Sequence, residues 1–202
     1  NLSDRAACGA EPVAFMLALA MPHVDVAFLE GFARGMFALA DAHGIELVGG
    51  DTTAGPLNLC ITVFGAVPVG QALLRSGARA GDTLWVSGTL GDARLALEAF
   101  RGTVSLMGQA FDSVRARMEC PAPRVALGRA LRGLASSAID LSDGLVGDLG
   151  HVLARSGVGT ACSTWRQTTR SKLASANGSA NASATSKRMW SPARVRASSR
   201  CA

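Results

Sequence analysis

The sequence predicts a mixed α/β (α+β) protein with two successive domains. Apolar runs of strand length, such as 12–21 and 57–67, alternate with segments of helical apolar spacing, such as 26–42. Strands that alternate with helices are typical of α/β and α+β folds. A stretch rich in glycine and other turn residues, 70–82, interrupts the alternation and indicates a joint between domains.

The first predicted domain covers residues 1–72. Its pattern predicts a helix start at 1–9, a strand at 12–21, a helix at 26–42 that Gly44 ends, a short strand at 45–48 and a strand at 57–67. The short strand runs into Gly49-Gly50-Asp51-Thr52-Thr53. We therefore expect Asp51 just beyond the end of that strand.

The second predicted domain covers residues 73–160. Its pattern predicts a strand at 83–87, helices at 92–100, 104–118 and 124–135, a short strand at 138–141 and a helix at 143–155. Pro121-Ala122-Pro123 separates two of the helices, and Gly157 closes the last one.

Residues 161–202 form a basic, low-complexity tail. They carry a net charge of +8 without a single acid, whereas residues 1–160 carry −3, so the body of the protein is mildly acidic. The tail is either disordered or translated from a shifted reading frame. We favour the shifted frame, because the body uses no Lys and much Arg, Ala and Gly, as a GC-rich coding sequence would.

The cysteines and the hydropathy indicate a cytoplasmic protein. The five cysteines are scattered, with no Cys-x-x-Cys and no Cys/His cluster, which predicts reduced thiols rather than a zinc site or a redox pair. The longest apolar run, 13–21, is too short to span a bilayer. We therefore expect no membrane partner.

Four aspartates stand where a strand is predicted to end or a helix to begin: Asp4, Asp51, Asp140 and Asp143. In α/β folds ligands collect outside the carboxyl ends of strands, and helix N-termini offer backbone N–H groups to phosphate. Clustered carboxylates repel phosphate but bind Mg²⁺, which bridges to phosphate oxygens. The pattern predicts a metal–nucleotide site, to which Arg75, in a glycine-bounded loop, could add a bidentate phosphate contact.

Each of these residues also has a purely structural interpretation. Asp4, Asp51 and Asp143 could serve as helix caps or turn residues, and Arg75 could be an exposed loop cation. Asp140 is harder to explain in this way, because a carboxylate between apolar strand residues needs a partner. The sequence contains no P-loop and no Gly-x-Gly-x-x-Gly.

Four longer segments decide between these interpretations. NLSDRAACGAEP, LVGGDTTAGPL, RSGARAGDTLWVSGTLGD and SAIDLSDGLVGDLGH follow one another in this order. Together they resemble the thiamine-monophosphate kinase family, within the superfamily of aminoimidazole ribonucleotide synthetase and selenophosphate synthetase. The resemblance extends through about residue 160. It implies a two-domain, aminoimidazole ribonucleotide synthetase-like architecture that is incomplete at both ends.

The resemblance also implies roles for single residues. It assigns Mg²⁺ to Asp4, Asp51, Asp140 and Asp143, and ATP contacts to Gly50, Asp51, Arg75 and Ser142. The implied reaction is ATP-dependent phosphorylation of thiamine monophosphate to thiamine diphosphate. It proceeds by direct, Mg²⁺-assisted in-line transfer without a side-chain nucleophile. The family forms homodimers whose N-terminal domains pair their sheets.

Several family motifs are absent from the sequence. These are the upstream Gly-Asp-Asp and Thr-Asp-Thr metal motifs, a substrate-side His, and a downstream Gly-Gly-Glu-Asp that helps to hold the thiamine end. We therefore expect the chain as given to be inactive and to lack the residues that bind thiamine.

Two alternatives stay open at this point. The chain could derive from a related ATP-dependent enzyme with another acceptor, or it could be an inactive remnant whose basic tail binds nucleic acid in a salt-dependent way. Because the tail has only Trp165 and Trp190 as aromatic residues, it lacks the interleaving typical of single-strand binders. We therefore expect no nucleic-acid partner.

Overall fold

A computed structural model of the chain describes residues 1–159 and 191–193. In these residues helices and strands are mixed, which confirms the predicted α/β class. The chain divides into two compact units, described separately below. Unit 1 contains Asn1–Leu74 and Pro123–Asp140, and unit 2 contains Arg75–Ala122 and the described residues from Leu141 onward.

Unit 1 is built on a three-stranded sheet in the order β2-β1-β3. The central strand β1 spans Glu11–Met21, β2 spans Glu46–Ala54 and β3 spans Asn58–Ala66. β1 runs parallel to β2 and antiparallel to β3. The parallel pair requires a crossover connection, and the helix α2, Val26–Ala42, supplies it.

A single hydrophobic cluster forms between the sheet and the helices of unit 1. Its buried members are Leu2, Phe15, Ala40 and Ile45, and the partly buried Met36, Ile61 and Val63 pack against them. The cluster accounts for part of the apolar spacing of the sequence, since Met36 and Ala40 from one stripe of α2 meet Phe15 of β1 and the alternate residues Ile61 and Val63 of β3 in it.

Two short helices complete unit 1. α1, Leu2–Ala7, packs against α5, Val125–Ala130. Near them, Arg129 Nη1 lies 3.3 Å from Glu11 Oε1 on the first residue of β1. These contacts explain why the segment 123–140 groups with unit 1, although the sequence pattern placed it in a second domain at 73–160. The predicted domain boundaries stay a prediction.

Unit 2 contains a helical hairpin, a small sheet and one longer helix. The helices α3, Asp92–Phe100, and α4, Gln109–Glu119, pack together, with the rings of Phe100 and Phe111 edge to face at 5.4 Å. β4, Leu84–Val86, pairs antiparallel with β5, Ser191–Ala193. β5 is the one part of the predicted tail among the described residues. The last helix, α6, spans Leu145–Ser156.

Several predicted elements differ from the structure in their bounds, and the differences in β2, α4, α5 and α6 have a visible cause or change the element most. β2 continues through Gly50-Asp51-Thr52-Thr53 because these residues pair with β1, so Asp51 lies inside the strand. α4 begins at Gln109 and α5 ends at Ala130, which shortens the helices predicted at 104–118 and 124–135. α6 begins at Leu145 because Gly144 has φ 104°, outside the helical region.

The strand predicted at 138–141 is wrong. These residues have extended or irregular backbone, and the amide of Ala138 donates one hydrogen bond to the Leu74 carbonyl at 3.0 Å. One such bond does not make a ladder, and no described strand runs beside the segment. Asp140 consequently lies in a loop.

None of the helices within the described residues is long and apolar enough to cross a membrane.

The register of β1 and β2 depends on a close backbone approach at Gly50. Gly50 pairs with Leu17, and a Cβ at this position would lie 1.8 Å from the Leu17 carbonyl oxygen. Gly50 also has a backbone φ of 147°, which residues other than glycine rarely adopt. Neighbouring Gly49 has no such restriction, since the nearest atom to its Cβ would be Met16 Cε at 3.9 Å.

Phe15→Ala should destabilise unit 1 strongly. The Phe15 side chain is 3% exposed in the cluster, and loss of a buried aromatic ring costs about 3–5 kcal/mol. The measurement is the free energy of unfolding from urea denaturation. Leu39→Ala, at a residue of α2 that is 46% exposed, is the control and should cost under about 1 kcal/mol. Equal losses would contradict the described core.

Gly50→Ala should lower the free energy of unfolding by at least about 3 kcal/mol, because the new Cβ meets the Leu17 backbone and the φ is strained. Gly49→Ala is the matched control and should stay within about 1 kcal/mol of the wild type. The same denaturation series measures both. A Gly50→Ala variant as stable as Gly49→Ala would show that β1 and β2 do not approach as described.

Candidate functional site

An open depression lies at the carboxyl ends of β1 and β2 in unit 1. Its volume is about 390 Å³. The residues that line it come from β1, the end of β2 and the turn into β3: Ala18, Leu19, Ala20, Asp51, Thr53, Pro56, Leu57 and Asn58. The carboxyl ends of parallel strands are the usual place for a ligand in an α/β sheet. Of the predicted site residues, Asp51 lies here.

The Asp51 carboxylate is accessible to a ligand. It is exposed, and its Oδ1 accepts a hydrogen bond from the backbone N–H of Thr52 at 2.9 Å. No hydrogen bond or ion pair within the described residues involves its Oδ2. The neighbouring Gly50 is also exposed. The packing of its backbone against Leu17 is sufficient to explain why this position is a glycine. This part of β2 therefore offers carboxylate oxygens and exposed backbone.

The other two predicted ligands of unit 1 differ in environment. Asp4 is exposed in α1, with Oδ2 3.6 Å from the amino nitrogen of Asn1. Asp140 is half-buried in the loop at the end of the unit, and no described residue donates a hydrogen bond or an ion pair to it. The structure therefore does not explain Asp140 as a cap or as a partner of a cation.

In unit 2 the loop before α6 is held by a single carboxylate. The backbone N–H groups of Ser142, Asp143 and Gly144 all donate to Asp148 Oδ2, at 3.0, 3.2 and 3.1 Å. Asp148 belongs to the first turn of α6 and is 3% exposed. Three successive amides that converge on one point form a nest of the kind that binds anions. Here the protein's own carboxylate occupies the nest.

The arrangement determines what the loop offers to a ligand. Because the amides of residues 142–144 donate to Asp148, they are not available to a phosphate group. The side chains of Ser142 and Asp143 are exposed. The loop thus presents hydroxyl and carboxylate oxygens, which are ligands for a cation. The sequence-based idea that free amides at this helix N-terminus bind phosphate does not apply to residues 142–144.

Arg75 lies at the opposite end of α6. Ser156, the last residue of the helix, donates from Oγ to the Arg75 carbonyl at 3.3 Å and accepts from the Ala78 amide at 3.1 Å. A helix of 12 residues is about 18 Å long. The backbone of Arg75 is therefore well separated from Ser142 and Asp143, and the structure does not bring these predicted ATP contacts together. The Arg75 residue is exposed.

The predicted metal ligands do not form a compact cluster. Across residues 1–159 and 191–193, no three His, Cys, Asp or Glu side chains stand close enough together to hold a metal ion. Asp4, Asp51 and Asp140 belong to unit 1, and Asp143 belongs to unit 2. Mg²⁺ in nucleotide sites usually takes one or two carboxylates together with water and phosphate oxygens, so a three-acid cluster is not required. The assignment of the four acids stays a prediction.

Sequence reasoning missed Asp148. It considered acids that precede or open a helix, and Asp148 lies four residues after Gly144. A signal was available, since side chains in the first turn of a helix commonly reach back to the amides before it, as in a capping box. An acid in the Asp-Gly-Leu-Val-Gly-Asp segment, after a glycine without a side-chain cap, fits that pattern.

The family described as AIR synthase related protein, N-terminal domain, matches residues 1–67. Thiamine-monophosphate kinase from Escherichia coli strain K12 is 46% identical over 160 residues, which cover 79% of this chain and 49% of the relative. The chain therefore spans about half the length of the curated relatives it matches.

Solved structures agree with the sequence comparison. The crystal structure of thiamine-monophosphate kinase from Stenotrophomonas maltophilia K279a superimposes with a TM-score of 0.75 at 49% identity, covering 79% of this chain and 52% of that one. A structure described as AaThiL complexed with AMPPCP and TMP gives a TM-score of 0.72 at 31% identity, covering 78% and 51%.

These matches confirm the resemblance found in the sequence and the expected aminoimidazole ribonucleotide synthetase-like fold. Over the 79% of its length that the E. coli comparison covers, the chain is similar in sequence to thiamine-monophosphate kinases and similar in fold to their solved structures.

Proposed function

We propose that the chain is part of an enzyme that phosphorylates thiamine monophosphate to thiamine diphosphate with ATP. The observation that carries the proposal is the loop of residues 142–144, whose amides donate to Asp148 while its Ser142 and Asp143 side chains are exposed. An oxygen-presenting loop is suited to a metal–nucleotide complex. The structural relative with AMPPCP and TMP supports this choice of ligands.

Mg²⁺ fits the donor set of the proposed site. Asp51 and Asp143 are exposed carboxylates, and Asp140 is half-buried without a partner among the described residues. Together with Asp4 these are hard oxygen donors, the kind that Mg²⁺ prefers. We assign Mg²⁺ to Asp4, Asp51, Asp140 and Asp143. When bound, Mg²⁺ would neutralise charge on the phosphate oxygens.

The remaining residues of the proposed site hold the nucleotide. Gly50 offers exposed backbone beside Asp51, and Ser142 offers a hydroxyl beside Asp143. Arg75 supplies the cation, and its guanidinium could bind phosphate bidentately. The Arg75 backbone lies beside Ser156, at the opposite end of α6 from Ser142. We therefore expect the Arg75 guanidinium and the Ser142 hydroxyl to contact different parts of the substrates.

The proposed mechanism is direct, in-line transfer from ATP to the phosphate of thiamine monophosphate. We assign no side-chain nucleophile, since the acceptor is itself a phosphate oxygen. The protein's contribution is to position the two phosphates and to oppose their charge, which is where most phosphoryl-transfer catalysis lies. Two parts of the described chain suit this task because hydrogen bonds hold their backbone: β2 at Asp51 and the loop before α6.

A second copy of the chain is the partner we propose for unit 1. Outward-facing Met16 and Phe64 are 40% and 46% exposed, and every residue of β2 is exposed. An apolar sheet face and an open edge strand favour association with another sheet. We place the protein in the cytoplasm, where ATP is available and where the free thiols of Cys8, Cys60 and Cys120 would stay reduced.

A graft tests the proposed reaction. Replacing the matched 160 residues of the E. coli relative by those of this chain should yield a protein that forms thiamine diphosphate from ATP and thiamine monophosphate. In this graft Asp143→Asn should lower kcat on the order of 100-fold, because it removes a proposed metal ligand. The measurement is chromatographic detection of thiamine diphosphate.

Asp112→Asn is the matched control for the graft. Asp112 is likewise an exposed acid near the start of a helix, in the first turn of α4, and its replacement should change kcat less than about twofold. A folded graft that leaves thiamine monophosphate unchanged, or one in which Asp143→Asn behaves like Asp112→Asn, would contradict the proposal.

A further inference from the structure

The contacts of Asp148 extend beyond its own helix. One carboxylate oxygen, Oδ2, accepts three hydrogen bonds from consecutive backbone amides, those of Ser142, Asp143 and Gly144. Asp148 is the one charged residue among the buried residues that the structure describes, at 3% exposure. A buried carboxylate is costly unless it is well bonded, and bonds from N–H groups to an ionised acceptor are among the stronger ones.

The N-terminus of α6 is capped by a residue from inside the helix and not by the N-cap residue. Gly144 stands at the N-cap position without a side chain to satisfy the helix, and Asp148 reaches back from the first turn to the residues before the helix. The Asp148 amide at the same time donates to the Gly144 carbonyl at 3.0 Å. The loop is therefore bonded to Asp148 in two ways, through the amides of residues 142–144 and through the carbonyl of Gly144.

Fixing three amides also fixes the direction in which the side chains of residues 142–144 leave the backbone. With the backbone N–H groups of 142–144 directed at one oxygen, the path of the loop leaves Ser142 and Asp143 exposed. A free loop of this kind would lose order and would expose three unpaired donors that attract anions. With the Asp148 carboxylate in place, the loop presents oxygen atoms that suit a cation. Without it, the loop would present free amides that suit an anion.

We infer that Asp148 is a positioning residue, which holds the loop so that Asp143 and Ser142 meet the divalent cation of the nucleotide. The inference rests on the proposed function, since it assigns the cation to Asp143. It differs from a purely structural role for Asp148, in which the carboxylate would stabilise α6 without affecting the binding of a cation.

Mn²⁺ binding to the full 202-residue chain tests the inference. The probe is Mn²⁺ alone, followed by electron paramagnetic resonance, and amide hydrogen exchange at residues 142–144 reports on the loop. Asp148→Ala should raise the Kd for Mn²⁺ by about 10- to 100-fold, as the loss of supporting contacts around metal ligands does. It should also speed exchange of the three amides.

Formate provides a readout that a merely structural role would not give. The Asp148→Ala variant lacks the carboxylate of residue 148, and formate is a small carboxylate that can take its place on the three amides. Formate should restore most of the Mn²⁺ affinity, whereas chloride at the same ionic strength should not. Asp148→Asn, which retains one oxygen of similar shape, should fold even if Asp148→Ala does not, and should show a smaller loss.

The outcomes separate the inference from the proposed function. Asp143→Asn should abolish the Mn²⁺ binding at this loop without speeding amide exchange, and Asp112→Asn should change neither. If the wild type binds Mn²⁺ but both Asp148 variants bind it equally well, the inference is wrong and the proposed function stands. If Mn²⁺ binding is insensitive to Asp143→Asn, or absent in the wild type, the assignment of the cation to this loop fails together with the inference.

Discussion

The close approach of β1 and β2 at Gly50 is the constraint on which the first unit depends. Only a glycine allows the Leu17 carbonyl to lie where it does, and the ladder continues from there through Ala54. This pairing carries Asp51 inside the strand, opposite Ala18, and sets it at the open depression beyond the buried cluster. The position of a candidate ligand thus follows from backbone packing. A carboxylate held by a strand is also placed more rigidly than one on a free loop.

The second unit uses a hydrogen-bond constraint for a similar purpose. Asp148 is buried, and its carboxylate accepts hydrogen bonds from the protein's own amides. The polarity of the loop before α6 is thereby inverted relative to an ordinary helix N-terminus, because the donors of residues 142–144 are used internally and oxygens remain outside. Each unit consequently presents a carboxylate on backbone that is held in place: strand pairing holds Asp51, and the hydrogen bonds to Asp148 hold Asp143. This is the arrangement that a metal–nucleotide complex requires from a protein that contributes positioning and charge.

The sequence was sufficient wherever local pattern decides structure. The helices at 26–42 and 92–100 agree with the structure to the residue, since amphipathic spacing and end signals are local. The sequence-based prediction failed where pairing partners decide the structure. β2 is lengthened by its pairing with β1, while 138–141 has no neighbouring strand in the described part of the chain and stays a loop. The same distinction holds at the candidate site. Asp51 and Asp143 could be selected from sequence, but the role of Asp148 depends on three amides whose convergence only the folded backbone reveals.

Paramagnetic broadening by Mn²⁺ tests the central claim most directly, namely that the selected aspartates form the cation-binding part of the protein. Nuclear magnetic resonance spectra of the full chain, recorded with substoichiometric Mn²⁺ and ATP, report which backbone amides lie near the ion. The account predicts that the strongest losses of signal occur at Asp51 and at residues 142–144, with further losses at Asp4 and Asp140. Losses centred on other exposed acids, such as Glu119 at the end of α4, with sharp signals at Asp51 and Asp143, would contradict it.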